Sequence, residues 1–106
     1  MTIENTSVID AIGISKSTGA VHLSIFNHLQ WDQATLPLLV EKVNRYLVFL
    51  EAGELVESYP SAAGRDVAID IYNKFRPSDE GQRFIQFAAD VAREDGITLS
   101  SPPPEQ

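Results

Sequence analysis

The 106-residue sequence contains no cysteine, and its eight lysines and arginines are outnumbered by fifteen acidic residues. The missing cysteine excludes disulfides, thiolate nucleophiles and cysteine metal ligands, and it suits the cytosol. A nucleic-acid binder needs cations against phosphate, but this chain has a net charge of −7 and no basic block. No apolar run approaches the ~20 residues that span a bilayer, and the first ten residues do not form a signal peptide. We therefore expect a cytoplasmic protein that binds neither nucleic acid nor membrane.

The composition is otherwise that of an ordinary globular protein, with 43% hydrophobic and 22% charged residues. A chain of this length can bury one hydrophobic core without disulfide bonds or structural metal ions. The pattern along the chain predicts a flexible N-terminus over residues 1–6, a single domain over 7–99 and a disordered, proline-rich tail over 100–106.

Two segments near the N-terminus alternate between apolar and small or polar residues, which predicts a β-hairpin. Residues 7–16 form the first strand of this hairpin and residues 20–29 the second. A two-residue loop ending at Gly19 would pair Ile14 with Leu23 and would place their apolar neighbours on one face.

The segment LPLLVEKVNRYLVFLEAGEL predicts a long helix after the hairpin. Thr35 is favoured over Asp32 as its N-cap, because Pro37 then falls where no backbone donor is needed. Gly53 is placed to end the helix in a left-handed conformation. The predicted core-facing stripe comprises Leu36, Leu39, Val40, Val43, Leu47 and Leu50.

The second half of the chain predicts a loop over 54–65, a strand over 66–75, a helix over 76–96 and a short edge strand over 97–99. The helix should start at Ser78 or Asp79. Its core-facing residues are predicted to be Phe84, Phe87, Ala88 and Val91. The resulting fold class is α+β, with a small antiparallel-rich sheet of three or four strands, two helices on one face, and the order ββαβα(β).

Several stretches resemble a family of small bacterial domains of unknown function. They are VIDAIGI at 8–14, LVEKVNRYLVFLEAGEL at 39–55, the YP and GR pairs within 59–65, and FRP at 75–77. These motifs are mainly structural, and the likeness covers most of residues 8–99. The resemblance implies a bacterial, cytosolic protein and carries over no activity and no catalytic residue.

The stretch FNHLQWDQ, residues 26–33, holds a histidine and an aspartate around the chain's one tryptophan. An enzyme or small-molecule-binding protein could use His28 as a base oriented by Asp32 beside Trp31, but no nucleophile or oxyanion group accompanies them. A purely structural corner between a strand and a helix requires fewer functional groups, because Asp32 can bond nearby amides and Trp31 can cover the end of the core. A third hypothesis is that Trp31 and Phe26 are part of a recognition surface.

Neither a metal site nor a cofactor site is predicted. His22 and His28 are six residues apart on one strand, so their α-carbons should be about 20 Å apart, which is too far to share an ion. A site built on His22 would need a carboxylate such as Asp70, and therefore a third strand beside the second. No catalytic residue is identified.

Two surfaces are less polar than a solvated surface should be. The first is the outer sheet face, with Ile9, Ala11, Phe26, Ala68 and Tyr72 and with His22 and His28 at its margins. The loop 54–65 could cover this face with Tyr59 and Pro60, or the face could be an interface.

The second surface is the back of the first helix, where Leu38 and Phe49 flank Lys42 and Arg45. The candidate partner-binding residues are thus Phe26, His28, Trp31, Leu38, Phe49 and Tyr72. Together they favour a non-enzymatic interaction or regulatory protein that binds a protein partner or a second copy of itself. The alternative is a small-molecule-binding protein or enzyme with a site near His28, Trp31 and Asp32.

Overall fold

A computed structural model describes residues 9–102 of the chain. Its elements in chain order are the strands and helices β1 (Ala11–Ile14), β2 (Val21–Asn27), α1 (Thr35–Glu51), α2 (Glu54–Ser58), β3 (Val67–Asn73), α3 (Asp79–Glu94) and β4 (Ile97–Ser100), with a 3₁₀ turn at Pro60–Ala62 before β3. The predicted flexible N-terminus and the last four residues of the predicted tail lie outside the described residues. Within the predicted tail, β4 runs through Ser100, and the Ser101 hydroxyl accepts a hydrogen bond from Asn73.

The four strands form one sheet in the order β1-β2-β3-β4. The α+β class is confirmed, but the antiparallel-rich sheet is wrong. Only β1 and β2 are antiparallel, whereas β2–β3 and β3–β4 are parallel. The reason lies in the connections, because a helix between two strands returns the chain to the end where the first strand began. Since β2, β3 and β4 follow one another in the same direction across the sheet, both long helices pack on one face.

The β1–β2 hairpin forms, but its register differs from the predicted one by two residues. Ile14 pairs with Val21, not with Leu23. The loop has four residues, since the Ser15 N–H donates to the Ala20 carbonyl at 2.8 Å. A shift of two residues in the pairing leaves the side chains of β1 and β2 on their predicted faces. Ile9, which precedes β1 and was predicted on the outer sheet face, instead packs against the core.

Helix α1 buries a stripe that is rotated from the predicted one. Its buried residues are Thr35, Leu39, Lys42, Val43, Tyr46 and Phe49. The predicted exposed pair at the back of the helix is therefore wrong, because Phe49 is only 7% exposed and Leu38 packs against the core. Hydropathy places lysine and tyrosine outside, but the polar ends of Lys42 and Tyr46 find partners inside the domain.

Residues 54–65 fold on the helix side of the sheet and do not cover the other side. The predicted loop is instead the short helix α2 followed by the 3₁₀ turn. Leu55 and Ala62 anchor this segment in the hydrophobic core, and Tyr59 stays 48% exposed. Gly53 has φ 76°, so it ends α1 in the left-handed conformation and lets α2 start at once.

Helix α3 begins where the sequence predicts it. The Ser78 hydroxyl accepts from the Gly81 N–H at 3.1 Å, which caps the helix. Ala88 and Ala92 are buried against the sheet, whereas Phe87 is 65% exposed, so its predicted core position is wrong. The core thus lies between α1, α3 and one face of the sheet, and the opposite face carries none of the described helices.

Candidate functional site

The corner between β2 and α1 is built around Asp32. Its carboxylate accepts a hydrogen bond from the Ala34 N–H at 2.9 Å and another from the Thr35 hydroxyl at 3.3 Å. The same hydroxyl also donates to the Gln30 carbonyl at 2.5 Å. Asp32 therefore acts as a turn residue that holds the start of α1, as the corner interpretation expects.

Trp31 connects this corner to α3. Its ring lies so close to Gly81 that a β-carbon there would meet the ring at 2.5 Å. The indole Nε1 is buried and meets no acceptor among residues 9–102. Trp31 is partly buried against the core, while His28 at the same corner is exposed. The packing gives Trp31 a structural role between two elements.

The carboxyl ends of β2 and β3 lie beside this corner, at the edge where parallel sheets commonly bind ligands. Here the buried side chains of Asn27 and Asn73 bond each other at 3.0 Å. Asn27 also accepts from the Leu29 N–H, and Asn73 donates to Ser101. The polar groups at this edge thus tie strands together.

The uncovered side of the sheet, which we call the outer face, carries one carboxylate and no lysine or arginine. Its members are Ala11 and Gly13 of β1, His22, Ser24 and Phe26 of β2, Ala68, Asp70 and Tyr72 of β3, and Thr98 and Ser100 of β4. Phe26 and Tyr72 are cross-strand neighbours whose rings stack with centroids 5.6 Å apart and planes 17° apart. They remain 44% and 43% exposed, so the outer face carries an open aromatic pair.

His22 lies in the middle of the outer face and not at its margin, where the sequence had placed it. Its Nδ1 is 2.7 Å from an Asp70 carboxylate oxygen, and the Ser100 hydroxyl donates weakly to the other oxygen at 3.4 Å. Because a carboxylate only accepts, Nδ1 is the donor in this bond, and Nε2 takes no part in it. The parallel pairing of β2 and β3 brings this His–Asp pair together, which strand patterns alone did not establish.

A model of a family of unknown function, DUF6572, matches residues 1–104. The chain belongs to this family. No curated protein and no solved structure matches the chain.

In this DUF6572 protein, a buried polar cluster behind β1 and β2 supports the outer face. The Lys42 ammonium and the Asp10 carboxylate are 2.8 Å apart, and both side chains are fully buried. The other oxygen of Asp10 accepts from the backbone N–H of Phe26 at 3.4 Å. The cluster therefore holds the strand that carries Phe26.

Tyr46 completes the cluster by joining β2 to the residue before β1. Its hydroxyl donates to the Ser24 carbonyl at 2.5 Å and accepts from the Asp10 N–H at 2.8 Å. Burial raises the pKa of this hydroxyl well above its usual value, and the nearby Asp10 charge adds to the shift. The sequence offered one signal for the cluster, namely a lysine and a tyrosine spaced four residues apart beside the apolar stripe of the helix.

The part of the DUF6572 chain that the structure describes gives no support to a metal site or to a membrane-spanning helix. Between residues 9 and 102, no group of three His, Asp or Glu side chains is placed to hold a metal ion. In the same range no helix is long and apolar enough to cross a membrane. The strongest feature that remains is the open aromatic pair on the outer face.

Proposed function

We propose that this chain is a bacterial cytosolic interaction protein that docks a protein partner on its outer face. The observation that carries the proposal is the exposed Phe26–Tyr72 stack on a sheet face that no described element covers. Aromatic side chains are enriched in the buried centre of protein interfaces, because they bury a large apolar area at a low entropic cost. A fully solvated sheet face would instead carry polar side chains at these two positions.

The charge of the outer face also supports a protein partner. Its one carboxylate, Asp70, is bonded to His22, and it has no lysine or arginine. The chain as a whole carries a net charge of −7, so charged residues are concentrated on its other surfaces. Depletion of charge at the centre of a patch is typical of protein interfaces, whereas a polyanion would need cations there.

The corner residues of the predicted site have a smaller role in the proposed docking surface. Asp32 and Trp31 hold α1 and α3, which favours a structural role for both. Phe26 and Tyr72 are the predicted partner-binding residues that the proposal keeps, while the burial of Phe49 removes the back of α1 from it.

Photo-crosslinking in the cells that make the protein tests the proposal. A photoreactive phenylalanine at Thr98, which is exposed on the outer face, should give adducts with another polypeptide. The same group at Phe87, which is 65% exposed on α3, is the matched control and should give few. Changing Phe26 and Tyr72 to serine should remove the Thr98 adducts. Equal adducts from both positions, or adducts that survive the double change, would contradict the proposal.

A further inference from the structure

A cavity of about 450 Å³ lies at the end of the domain where β3 and β4 begin. The first residues of these two strands, Val67 and Ile97, line it, and α2 and the 3₁₀ turn form one of its walls. It is therefore at the opposite end of the parallel strands from the corner between β2 and α1. Its volume is within the range of roughly 300–1,000 Å³ that is usual for small-molecule sites.

The floor of this cavity is apolar. Leu55, Ala62 and Ile97 line it, belong to the hydrophobic core, and are at most 7% exposed. Leu50 and Val67 add apolar walls that are partly buried. A ligand that fills the cavity must therefore present apolar groups to the floor, because polar groups there would lose their hydration without gaining a hydrogen-bond partner.

The rim of the cavity is acidic. Its exposed lining residues include the carboxylates of Glu51, Asp66 and Asp95. Among the described lining residues Arg65 alone is basic, and its Nε and Nη1 donate to the backbone carbonyls of Ser61 at 2.7 Å and Gly19 at 3.0 Å. Three carboxylates around one guanidinium, which is itself engaged by carbonyl oxygens, leave the rim with an excess of negative charge.

Two of these carboxylates lie where helix stability does not favour them. Glu51 is the last residue of α1, and Asp95 is the C-cap of α3. The carboxyl end of a helix carries a partial negative charge, so it attracts basic side chains and repels acidic ones. The last turn of α1 has no basic residue, and Arg93 in the last turn of α3 is bonded to Asp90. Both helices thus end at the cavity and add to the negative potential of its rim.

We infer that this cavity binds a small organic cation, an amine whose ammonium group stays at the rim while its apolar body covers the floor. The ammonium group accounts for the carboxylates at the helix ends, and the apolar body accounts for the buried floor. A metal ion would use the charge alone, and between residues 9 and 102 no three His, Asp or Glu side chains are placed to hold one. The cavity shares no residue with the outer face, so this binding does not depend on the proposed function.

Titration of the isotope-labelled chain with phenethylamine, followed by NMR, tests this binding. The amide signals of Gly53, Val56 and Gly96, which line the cavity, should shift together along one saturation curve. The signal of Gln86 on α3 should stay in place. Phenethyl alcohol has the same ring but no charge, and it should bind at least about fivefold more weakly, because it forms no ion pair with the rim.

A double variant, Glu51→Gln with Asp95→Asn, removes the two carboxylates at the helix ends. It should weaken phenethylamine binding at least about fivefold and leave the binding of the alcohol unchanged. The matched control, Glu41→Gln with Glu80→Gln, removes two exposed carboxylates from the amino-terminal halves of the same helices and should keep the amine affinity. Because the first pair lies at the unfavoured helix ends, its removal should not lower the melting temperature.

Several results would overturn the cation site. The first is the absence of shifts at the cavity amides up to about 10 mM phenethylamine, or equal affinities for the amine and the alcohol. Equal losses in the two double variants would mean that the net charge of the chain attracts the amine. A lower melting temperature for the Glu51 and Asp95 variant than for the control would assign these carboxylates to the fold. Saturating shifts of the same amides by calcium chloride would assign the rim to a metal ion.

Discussion

The buried Lys42–Asp10 pair should be among the most sensitive sites in the domain. Both side chains are fully buried, with 2.8 Å between the ammonium and the carboxylate. Removing one charge breaks this ion pair in a medium of low polarity, which costs about 3–5 kcal/mol. We expect Lys42→Met and Asp10→Asn each to lower the free energy of unfolding by about this amount. For a domain of this size the melting temperature should then fall by more than about 10 °C.

The double variant distinguishes an ion pair from two independent packing sites. If the charges depend on each other, Lys42→Met combined with Asp10→Asn should cost at least about 2 kcal/mol less than the sum of the single changes. Urea unfolding with a common slope measures all three variants. The control is the exposed pair of Arg93 and Asp90, whose side chains are 76% and 52% exposed.

For this exposed pair we expect Arg93→Met to change the free energy of unfolding by no more than about 0.5 kcal/mol, since exposed ion pairs are worth little. Two results would contradict this expectation: a cost of Lys42→Met no larger than that of Arg93→Met, or Lys42 and Asp10 changes that are additive. Either result would mean that the two buried charges do not stabilise each other.

Three further changes probe other parts of the fold. Gly81→Ala should destabilise the domain by about 1–3 kcal/mol in thermal unfolding, because the new methyl group meets the Trp31 ring; Gly13→Ala, with open space around it, is the control. Val43→Asp places an unpaired charge in the core and should abolish the cooperative melt, since the cost is comparable to a typical total stability of about 5–15 kcal/mol. The raised pKa of Tyr46 means that unfolding releases a proton above about pH 10, so wild-type stability should fall as the pH rises beyond that value. Tyr46→Phe should be less stable at neutral pH and should show a shallower alkaline decline in urea titrations; an unchanged slope would count against the raised pKa.

Local patterns in the sequence predict most of the elements. The alternation of residues 20–29 predicts β2, and the apolar spacing after Thr35 predicts α1. Gly53 and Ser78 mark the end of α1 and the start of α3, because each supplies a backbone conformation or a cap that the helix end requires. These signals depend only on neighbouring residues.

The direction of β3 and β4 and the contents of the core depend on distant residues. The parallel pairing follows from the helices that connect one strand to the next. The order of the elements already contains these connections, but an interpretation that treats each strand separately does not take them into account. Lys42 and Tyr46 are buried because Asp10 and the Ser24 carbonyl meet them, and no local pattern shows that meeting. Hydropathy therefore placed the buried stripe of α1 too far from these two residues.

In the candidate site, too, some features depend on neighbouring residues and others on distant ones. Phe26 and Tyr72 could be assigned to an outer face from alternation alone, whereas their contact requires the in-register pairing of β2 and β3. The bond between His22 and Asp70 requires it as well. Asp32 was correctly expected as a turn residue, because a short polar side chain before a helix commonly bonds the amides that follow it.

The most direct test of the outer face as the contact surface is NMR of the isotope-labelled chain, with one amide signal per residue, before and after an unlabelled lysate of the cells that make the protein is added. In the lysate, the signals of Ser24, Ala68 and Asp70 on the outer face should shift or broaden. The signals of exposed α3 residues such as Gln86 should stay in place. Changes confined to α3, or equal changes along the whole described chain, would contradict the outer face as the contact surface.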